Sequence, residues 1–417
     1  MGTEPDSRPD AVLPVSSAPA IEPVPAVVLG LSATGLAVAR ALGRRGVRVT
    51  GVDTLRTPSA TSRFVRFRRS PTPGTDAMLR FLIALAGEGG ARPVLLATAD
   101  EYAELIALNH DRLAGSFRLL TAPAAVVRDV SDKTRFMTLA ADLGLPVPRA
   151  VTLGSGGVPS EVGTLRFPVV VKPDHFRAWS SERLRARGLA PAKAIPVADP
   201  GELRELVVRL GPLTERAVVQ EMVVGQDDAH VDYHALAEPG GQIRAEFVGR
   251  KLRLSPPHFG LGTYVVSAHD PEVASLGREV LARLGYVGVA NLNFKRDQRD
   301  GSLWLLEVNP RFSLWTALDV ACGVDLPYWA YLTACGIAWA PPPAYPAGRR
   351  WVHALWDLRS MSGYRREAGP SWWSWMSSVL RADVEALGAW DDPLPLLASV
   401  AGAALRDARG RLPGRTR

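Results

Sequence analysis

The chain has 417 residues, 22% of them charged and 47% hydrophobic, which is enough for roughly two or three domains with a sizeable core. No run approaches the ~18 apolar residues of a membrane span, and no stretch of the composition points to a membrane partner. The net charge of +7 comes from arginine scattered over the whole chain, without a basic run interleaved with aromatics, so no nucleic-acid partner is expected.

Residues 1–25 are rich in Pro, Ala and acid and lack the basic-then-apolar order of a signal peptide; they read as a flexible tail of a cytoplasmic protein. The two cysteines, Cys322 and Cys335, suit a reducing compartment and exclude a disulfide framework or a zinc ribbon. Residues 26–125 alternate apolar strands with helical patterns: AVVLG, LAVARALGRRG, VRVTGVD, then PVLLAT before EYAELIALNHDRL. Such alternation predicts a parallel sheet with crossover helices. The run GLSATG after the first strand invites a dinucleotide-binding reading, but Ser32 stands where the middle glycine should let backbone approach a pyrophosphate. A helix N-terminus held by a tight turn explains it better, and Asp53 at the end of the second strand adds little.

A second unit, residues 126–335, opens at SDKTRFMTLAADLGLPVPRA, with Ser131 as expected N-cap of an amphipathic helix ending at Gly144 and Pro146. FPVVVKP reads as a strand ending in Lys172, and AKAIPV as a short strand after a long polar stretch. ERAVVQEMVVGQDDAHVDYHAL gives a buried strand, a break at Gly225 and a further strand. GQIRAEFVGRKLRLS continues as a strand into PPHFGLGT, residues 256–263, which suits either a closing loop or an ordinary surface turn. His258 within it reads as incidental to catalysis. Residues 336–417 read as a C-terminal helical segment, in which the tryptophans of 346–417, at 351, 356, 372, 373, 375 and 390, are more consistent with a packing surface than a binding cage.

The most informative stretch is GVANLNFKRDQRDGSLWLLEVNPRF, residues 288–312. Two apolar-alternating runs flank a turn centred near Asp300-Gly301. Period-2 alternation then puts Asn291, Asn293 and Lys295 on one face of the first strand and Glu307 and Asn309 on one face of the second. Asn293 should lie opposite Glu307, and Asn291 opposite Asn309, backed by Leu292, Phe294, Leu306 and Val308. A patch of oxygen donors on a rigid hairpin suits a hard cation such as Mg²⁺; a solvated strand face would look the same from spacing alone. Lysine usage adds a second signal. Among 49 basic residues only Lys133, Lys172, Lys193, Lys251 and Lys295 are lysine, all within one 163-residue window. Where arginine fills the surface, a retained lysine suits a site needing a compact point charge for a phosphate.

The ordered set Asp132-Lys133, FPVVVKP, VVQEMVVGQDD, GRKLR and GVANLNFKRD…LLEVNPRF resembles the ATP-grasp superfamily, nearest in pattern to its carboxylate–amine ligases, with D-aspartate ligase and the ATP-grasp domain of carbamoyl-phosphate synthetase as comparisons. The likeness covers about residues 26–335. It implies an α/β fold: an N-terminal parallel-sheet, Rossmann-like pre-ATP-grasp domain, a two-subdomain α+β ATP-grasp fold at 126–335, and the C-terminal helical extension. It also implies site residues. Gln220, Glu221, Met222 and Val223 fall on the connecting strand, whose backbone from Glu221 to Val223 would pair with adenine. Asp228 matches the acid that holds the ribose hydroxyls. Lys133 and Lys172 match the lysines reaching the α- and β-phosphates, and Lys251 or its neighbour Arg250 would face the γ-phosphate. Glu307 would bridge Mg²⁺ (or Mn²⁺), with Asn309 and Asn293 completing the shells. Many relatives have glutamate at the Asn293 position, so this chain has one negative charge fewer there. The stretch DHFRAWSSERLRARG departs from the glycine-rich phosphate flap of many relatives, and no flap residue is assigned.

The implied reaction joins a small-molecule carboxylate to an amine. A carboxylate has a poor leaving group, and phosphoryl transfer from ATP replaces it with phosphate. Such transfer needs positioning and charge neutralisation more than a protein nucleophile, and no P-loop motif is present. Arg311 would hold the carboxylate and the developing charge. This reading allows a homodimer and leaves amine against thiol acceptor open. Two other classes stand beside it: a non-catalytic or regulatory ATP-binding protein with a degenerate metal site, and an oxidoreductase resting on GLSATG alone.

Overall fold

The computed structural model describes residues 23–154, 158–173, 184, 188–189, 194–211, 217–340, 344–367 and 369–410. The tail expected at 1–25 lies outside them except for its last three residues, as does the stretch at 174–187 apart from Leu184.

The first unit is an all-parallel sheet in the order β3-β2-β1-β4-β5. Its elements are β1 (Ala26–Leu29), α1 (Ala33–Gly43), β2 (Val49–Asp53), β3 (Arg66–Arg69), α2 (Asp76–Gly87), β4 (Val94–Ala97), α3 (Asp100–Leu108), α4 (His110–Ala114) and β5 (Arg118–Leu119). The continuous apolar runs AVVL and VLLA are what a central strand covered on both faces requires. GLSATG forms the β1–α1 turn. Gly30 has φ +90°, and a Cβ on Gly35 would stand 1.9 Å from the Gly30 carbonyl oxygen, so both positions demand glycine. Ser32 caps α1, accepting from the Thr34 N–H. The Asp53 carboxylate is taken up by the N–H groups of Leu31 and Thr54, each at 2.7 Å. These bonds hold the C-terminal ends of the neighbouring strands β1 and β2 together.

Two helices follow, α5 (Ala124–Ser131) and α6 (Lys133–Asp142). Ser131, expected to cap the second, instead ends the first; Asp132 is the cap, its carboxylate accepting from Arg135 N at 2.9 Å. An acid at that point also complements the helix dipole, which a serine does not.

A four-stranded antiparallel sheet, order β6-β9-β7-β8, comprises β6 (Ala150–Leu153), β7 (Val169–Pro173), β8 (Ile195–Val197) and, after α7 (Pro200–Leu210), β9 (Ala217–Glu221). A larger sheet, order β14-β13-β10-β11-β12-β15-β16, holds β10 (His230–Ala237), β11 (Ile243–Ser255), β12 (Leu261–Ala268), β13 (Gly288–Arg296) and β14 (Leu303–Asn309), with α8 (Pro271–Arg283) between β12 and β13. Helices α9 (Thr316–Ala321) and α10 (Leu326–Cys335) return the chain towards the parallel sheet. Beyond them come β15 (Arg350–Val352), α11 (Ala354–Arg366), α12 (Trp372–Leu380), β16 (Val384–Glu385) and α13 (Leu394–Gly410). The C-terminal segment is thus mainly helical but also extends the large sheet by two short strands. Among the described residues no helix is long and apolar enough to cross a membrane.

One core runs through all three regions: Val28 and Leu36 of the parallel sheet unit, Phe247 and Val265 of the large sheet, Leu318 and Tyr331 of α9 and α10, and Trp351 and Leu387 of the C-terminal segment. Cys322 lies in that core and Cys335 packs half-buried against it, both as free thiols. The tryptophans divide: Trp351 is fully buried, whereas Trp373 and Trp390 are exposed.

The C-terminal segment is also tied to the parallel-sheet unit through Asp392. Its buried carboxylate accepts from Arg40 Nε at 2.9 Å, Ser62 Oγ at 2.6 Å and Arg63 N at 3.0 Å. Asp392→Ala leaves the Arg40 guanidinium, itself buried, without its counter-charge. The expected loss is about 3–5 kcal/mol of unfolding free energy, measured by urea denaturation; a loss under about 1 kcal/mol, the level of an exposed pair, would refute this role.

Candidate functional site

Strand alternation and register assemble the site on one face of the large sheet. Across β10, β13 and β14, Asp232, Asn293 and Glu307 stand side by side in one cross-strand row; His234, Asn291 and Asn309 form the next, and His230 faces Lys295. The opposite face carries Val231, Tyr233, Leu292, Phe294, Leu305 and Val308, packed with Val273, Val280 and Leu281 of α8. Pairing of Asn293 with Glu307 and Asn291 with Asn309 is as the hairpin pattern predicts. The backing differs at one position. A bulge after Asn293 pairs Phe294 with Leu305, so Leu305 is fully buried and Leu306 is only half-buried.

Lysines surround this face. Lys251 on β11 forms an ion pair with the buried Asp232, 2.9 Å apart. Arg250 lies opposite Val231 and is exposed, on the reverse face of the sheet, which separates it from the group. Lys172, at the end of β7 in the small sheet, donates to Gln220 Oε1 at 2.7 Å. Burial above all, together with Lys133 and Lys295 and against the pull of Glu307, lowers the Lys172 ammonium to a pKa of about 8. Lys133 opens α6. Lys295 is itself lowered, by burial, against the pull of Asp227 and Asp297. His230 is held well below its usual value by burial and by Lys251, Lys295 and Lys172, so its imidazole is neutral, and its buried Nε2 has no hydrogen-bond partner. Burial raises Asp232, partly offset by Lys251 and His234. Lys193 lies outside the described residues.

The oxygen donors are not all equally free. Asn293 donates through Nδ2 to Asn291 Oδ1 at 3.0 Å, which leaves its own Oδ1 towards the face. Asn309 turns its nitrogen to Asn291 O and Glu307 and its oxygen to Arg311 Nη2 at 3.2 Å, as the charges on either side of it dictate. Arg311 is further engaged with Asp100 at the start of α3, Nε to Oδ1 at 2.6 Å and Nη2 to Oδ2 at 3.2 Å. Burial alone would lower this guanidinium, but the Asp100 charge and hydrogen bonds raise it. Arg311 therefore joins the metal-type patch to the parallel-sheet unit. No cluster of three or more His, Cys, Asp or Glu able to hold a metal occurs among the described residues. The donor set of one exposed carboxylate with amide oxygens fits Mg²⁺, which takes one or two protein oxygens plus phosphates and water.

The connecting segment closes the other side. Glu221 N donates to Arg149 O and Met222 N to Pro168 O, while the Glu221 carboxylate accepts from Arg166 N. Arg299 reaches Met222 O, and Gln298 N donates to Val224 O, so the β13–β14 turn is stitched to this segment. The Glu221 and Met222 N–H groups are thus committed to the fold, which narrows the backbone groups of this segment that a base could meet. Gln220 contributes its side chain to Lys172. Asp228 is exposed, next to Asp227, which is buried and bonded to Tyr364 and His258.

Asp232, His230, Lys295, Asp100 and Asp227 are site or site-bracing residues that motif reading did not assign. His230, Asp232 and His234 carried the same signal as the hairpin, polar residues at every second position of an apolar strand. Asp100, 211 residues from its partner, left no local signal.

Residues 234–353 match the family described as ATP-grasp in the biosynthetic pathway with Ter operon. Over 248 residues the chain is 25% identical to D-aspartate ligase of Enterococcus faecium, 57% of each chain. Over 224 residues it is 27% identical to the carbamoyl phosphate synthase large chain of Gemmatimonas aurantiaca, 51% of this chain and 19% of that one. The chain therefore spans little more than half the length of the first relative and about a fifth of the second. The fold superposes on N5-carboxyaminoimidazole ribonucleotide synthetase in its ADP complex with a TM-score of 0.63 at 11% identity, covering 83% of this chain and 87% of that one. The chain has the ATP-grasp fold and resembles ligases built on it.

Cations so placed bind a polyanion best while Lys172 is protonated, below about pH 8. Affinity for inorganic tripolyphosphate, measured by calorimetry, should fall as pH rises through that value, and Lys172→Met should weaken binding and remove the step. A pH-independent affinity in the unaltered chain between pH 7 and 9 would contradict this.

Proposed function

We propose that this protein is an ATP-dependent ligase that activates a small-molecule carboxylate as an acyl phosphate and joins it to an amine, releasing ADP and phosphate. The observation that carries the reading is the convergence of Lys133, Lys172, Lys251 and Lys295 on the row Asp232–Asn293–Glu307. That arrangement supplies positive charge for a triphosphate and oxygen donors for its cation, with no serine, threonine or cysteine among them. Similarity to D-aspartate ligase supports carboxylate and amine as the substrate classes.

In this reading Lys133 and Lys172 hold the α- and β-phosphates. Lys251 faces the γ-phosphate, and its ion pair with Asp232 keeps the ammonium aimed at the transferring group. Glu307 and the Asn293 oxygen hold Mg²⁺ or Mn²⁺, and Asn309 joins them on turning its amide over. The cation, when bound, neutralises charge on the phosphates. Adenine pairs with the backbone of the 221–223 segment through groups other than the Glu221 and Met222 N–H, which are committed to the fold, and the ribose hydroxyls meet Asp228. Arg311, already neutralised by Asp100, orients the carboxylate through Asn309 and the strand end more than by a free charge of its own. Arg250 takes no part.

The test is release of inorganic phosphate from ATP by the purified protein, with and without mixtures of amino acids and organic acids, in hydroxylamine to trap the activated acyl group as a hydroxamate. Carboxylate-dependent release with hydroxamate supports the ligase; ATP binding without turnover in any mixture favours the non-catalytic alternative. Glu307→Ala should reduce kcat by at least about 10²-fold, because it removes the exposed carboxylate of the row. Near-normal release by that variant at saturating Mg²⁺ would sink the metal assignment.

The Asn293 amide gives a finer test. Asn293→Glu should be tolerated and tighten metal binding, since an oxygen is kept and a charge added. Asn293→Leu should leave ATP affinity partly intact and lower turnover. Steady-state kinetics across a Mg²⁺ titration distinguishes this from a solvated strand position, at which both variants would be neutral.

A further inference from the structure

Helix α11 begins at Ala354, immediately after the family match ends at residue 353. It nevertheless runs along the β11–β12 hairpin and grips it at two points. At its first turn the fully buried Asp357 accepts from the Arg253 guanidinium at 2.6–3.0 Å, from Thr263 Oγ1 at 2.7 Å and from Trp375 Nε1 of α12 at 2.8 Å. At its last turn the Tyr364 hydroxyl accepts from Leu254 N at 2.6 Å and donates to Asp227 Oδ2. Gly363 lies against Pro257, where a Cβ would come within 2.9 Å of the ring.

The second grip reaches a different part of the fold. Asp227 belongs to the short turn before β10, and its carboxylate also accepts from His258 N at 3.3 Å and pairs with His258 Nδ1 at 3.1 Å. The other ring nitrogen of His258 meets Glu367, the residue closing α11, at 2.6 Å. Burial alone would lower the His258 imidazole, but Glu367 and Asp227 raise it above its usual value. His258 has φ +67°, a left-handed backbone conformation uncommon outside glycine, so the 256–260 loop is held in an otherwise unfavoured shape by this clasp. The clasp binds three segments far apart in sequence: the 227–229 turn, the hairpin loop and the end of α11.

We propose that α11 is a part of the nucleotide site, with Tyr364, Glu367 and His258 acting as positioning residues that fix the 227–229 turn so that the exposed Asp228 meets the ribose hydroxyls of a nucleoside triphosphate. The inference rests on the functional reading above for the role of Asp228. It gives the C-terminal segment a function in nucleotide selection: the diol is read by a carboxylate whose place is set by a helix outside the family match. Asp227 itself serves as the anchor, since Tyr364 and His258 consume its oxygens.

The experiment compares the affinity for ATP and for 2′,3′-dideoxy-ATP by titration calorimetry, in the full chain and in Tyr364→Phe and Glu367→Gln. Hydrogen bonds to a charged carboxylate should make the unaltered chain prefer ATP by about tenfold or more. Each variant should bind dideoxy-ATP as the unaltered chain does and lose several-fold of its affinity for ATP, so that the two ligands converge. Glu367 is exposed enough that its variant keeps the thermal unfolding midpoint, which separates loss of positioning from loss of fold. A preference in both variants equal to that of the unaltered chain overturns the inference while leaving the functional reading intact. Failure of the unaltered chain to bind ATP, or to distinguish it from dideoxy-ATP, overturns the assignment of Asp228 and this inference with it.

Discussion

Mutual repulsion among the lysine ammonium groups around one face of the large sheet is the constraint around which the site is arranged. Lys172 is depressed by burial, Lys133 and Lys295, and His230 is kept neutral by Lys251, Lys295 and Lys172. A fold that only sought stability would disperse such charges or pair each with an acid. Here Asp232 pairs with Lys251, Glu307 favours the charged form of Lys172, and Asp227 and Asp297 favour that of Lys295, yet burial and mutual repulsion still lower both of these lysines. The protein holds that excess in place with elements that have their own reasons to be rigid: a hairpin with an apolar back, a strand of the small sheet and a helix start capped by Asp132. Charge strain of this kind is what a bound polyanion would relieve.

The bracing comes from outside the two sheets. Arg311 carries the strand end of Glu307 and Asn309 to Asp100 of the parallel-sheet unit, and Asp392 carries the C-terminal segment to Arg40 of the same unit. Helix α11 secures the hairpin bearing Lys251 through Asp357 and Arg253. Each of these ties is a buried or half-buried ion pair with extra hydrogen bonds, the kind whose geometry specifies position even where its net contribution to stability is small. The apolar core that runs from Val28 to Leu387 supplies the stability, and the ion pairs supply the alignment.

What could be read from the sequence follows the range of the interactions. The hairpin register was legible because side-chain alternation and a tight turn near Asp300-Gly301 are local rules, and they fail only where a bulge exchanges Leu306 for Leu305. The parallel sheet of the first unit was legible for the same reason. The cap of α6 was misplaced by one residue, since Ser131 and Asp132 both satisfy the local preference and only the helix break between α5 and α6 decides. Lys251 and Arg250 could not be separated without the register against Val231. The partners of Arg311 and Asp227 were not legible, because Asp100 and Tyr364 arrive from distant parts of the chain through tertiary packing. Backbone accounting also escaped the motif: nothing in VVQEMVV shows that Glu221 and Met222 spend their N–H groups on Arg149 and Pro168.

The scarcity of lysine has a practical side. With arginine on the surface, the amines of this protein are its N-terminus and the side chains at 133, 172, 193, 251 and 295. Amine-directed reagents such as activated esters therefore have few places to react, and Lys172, with its pKa lowered to about 8, is more often unprotonated than an ordinary lysine. Beyond the N-terminal amine, dye conjugation or immobilisation through amines would fall largely on the lysines gathered at this face. The same property makes one mild acylation, followed by peptide mapping with and without a polyphosphate as shield, a chemical footprint of the cleft that needs no substituted residue.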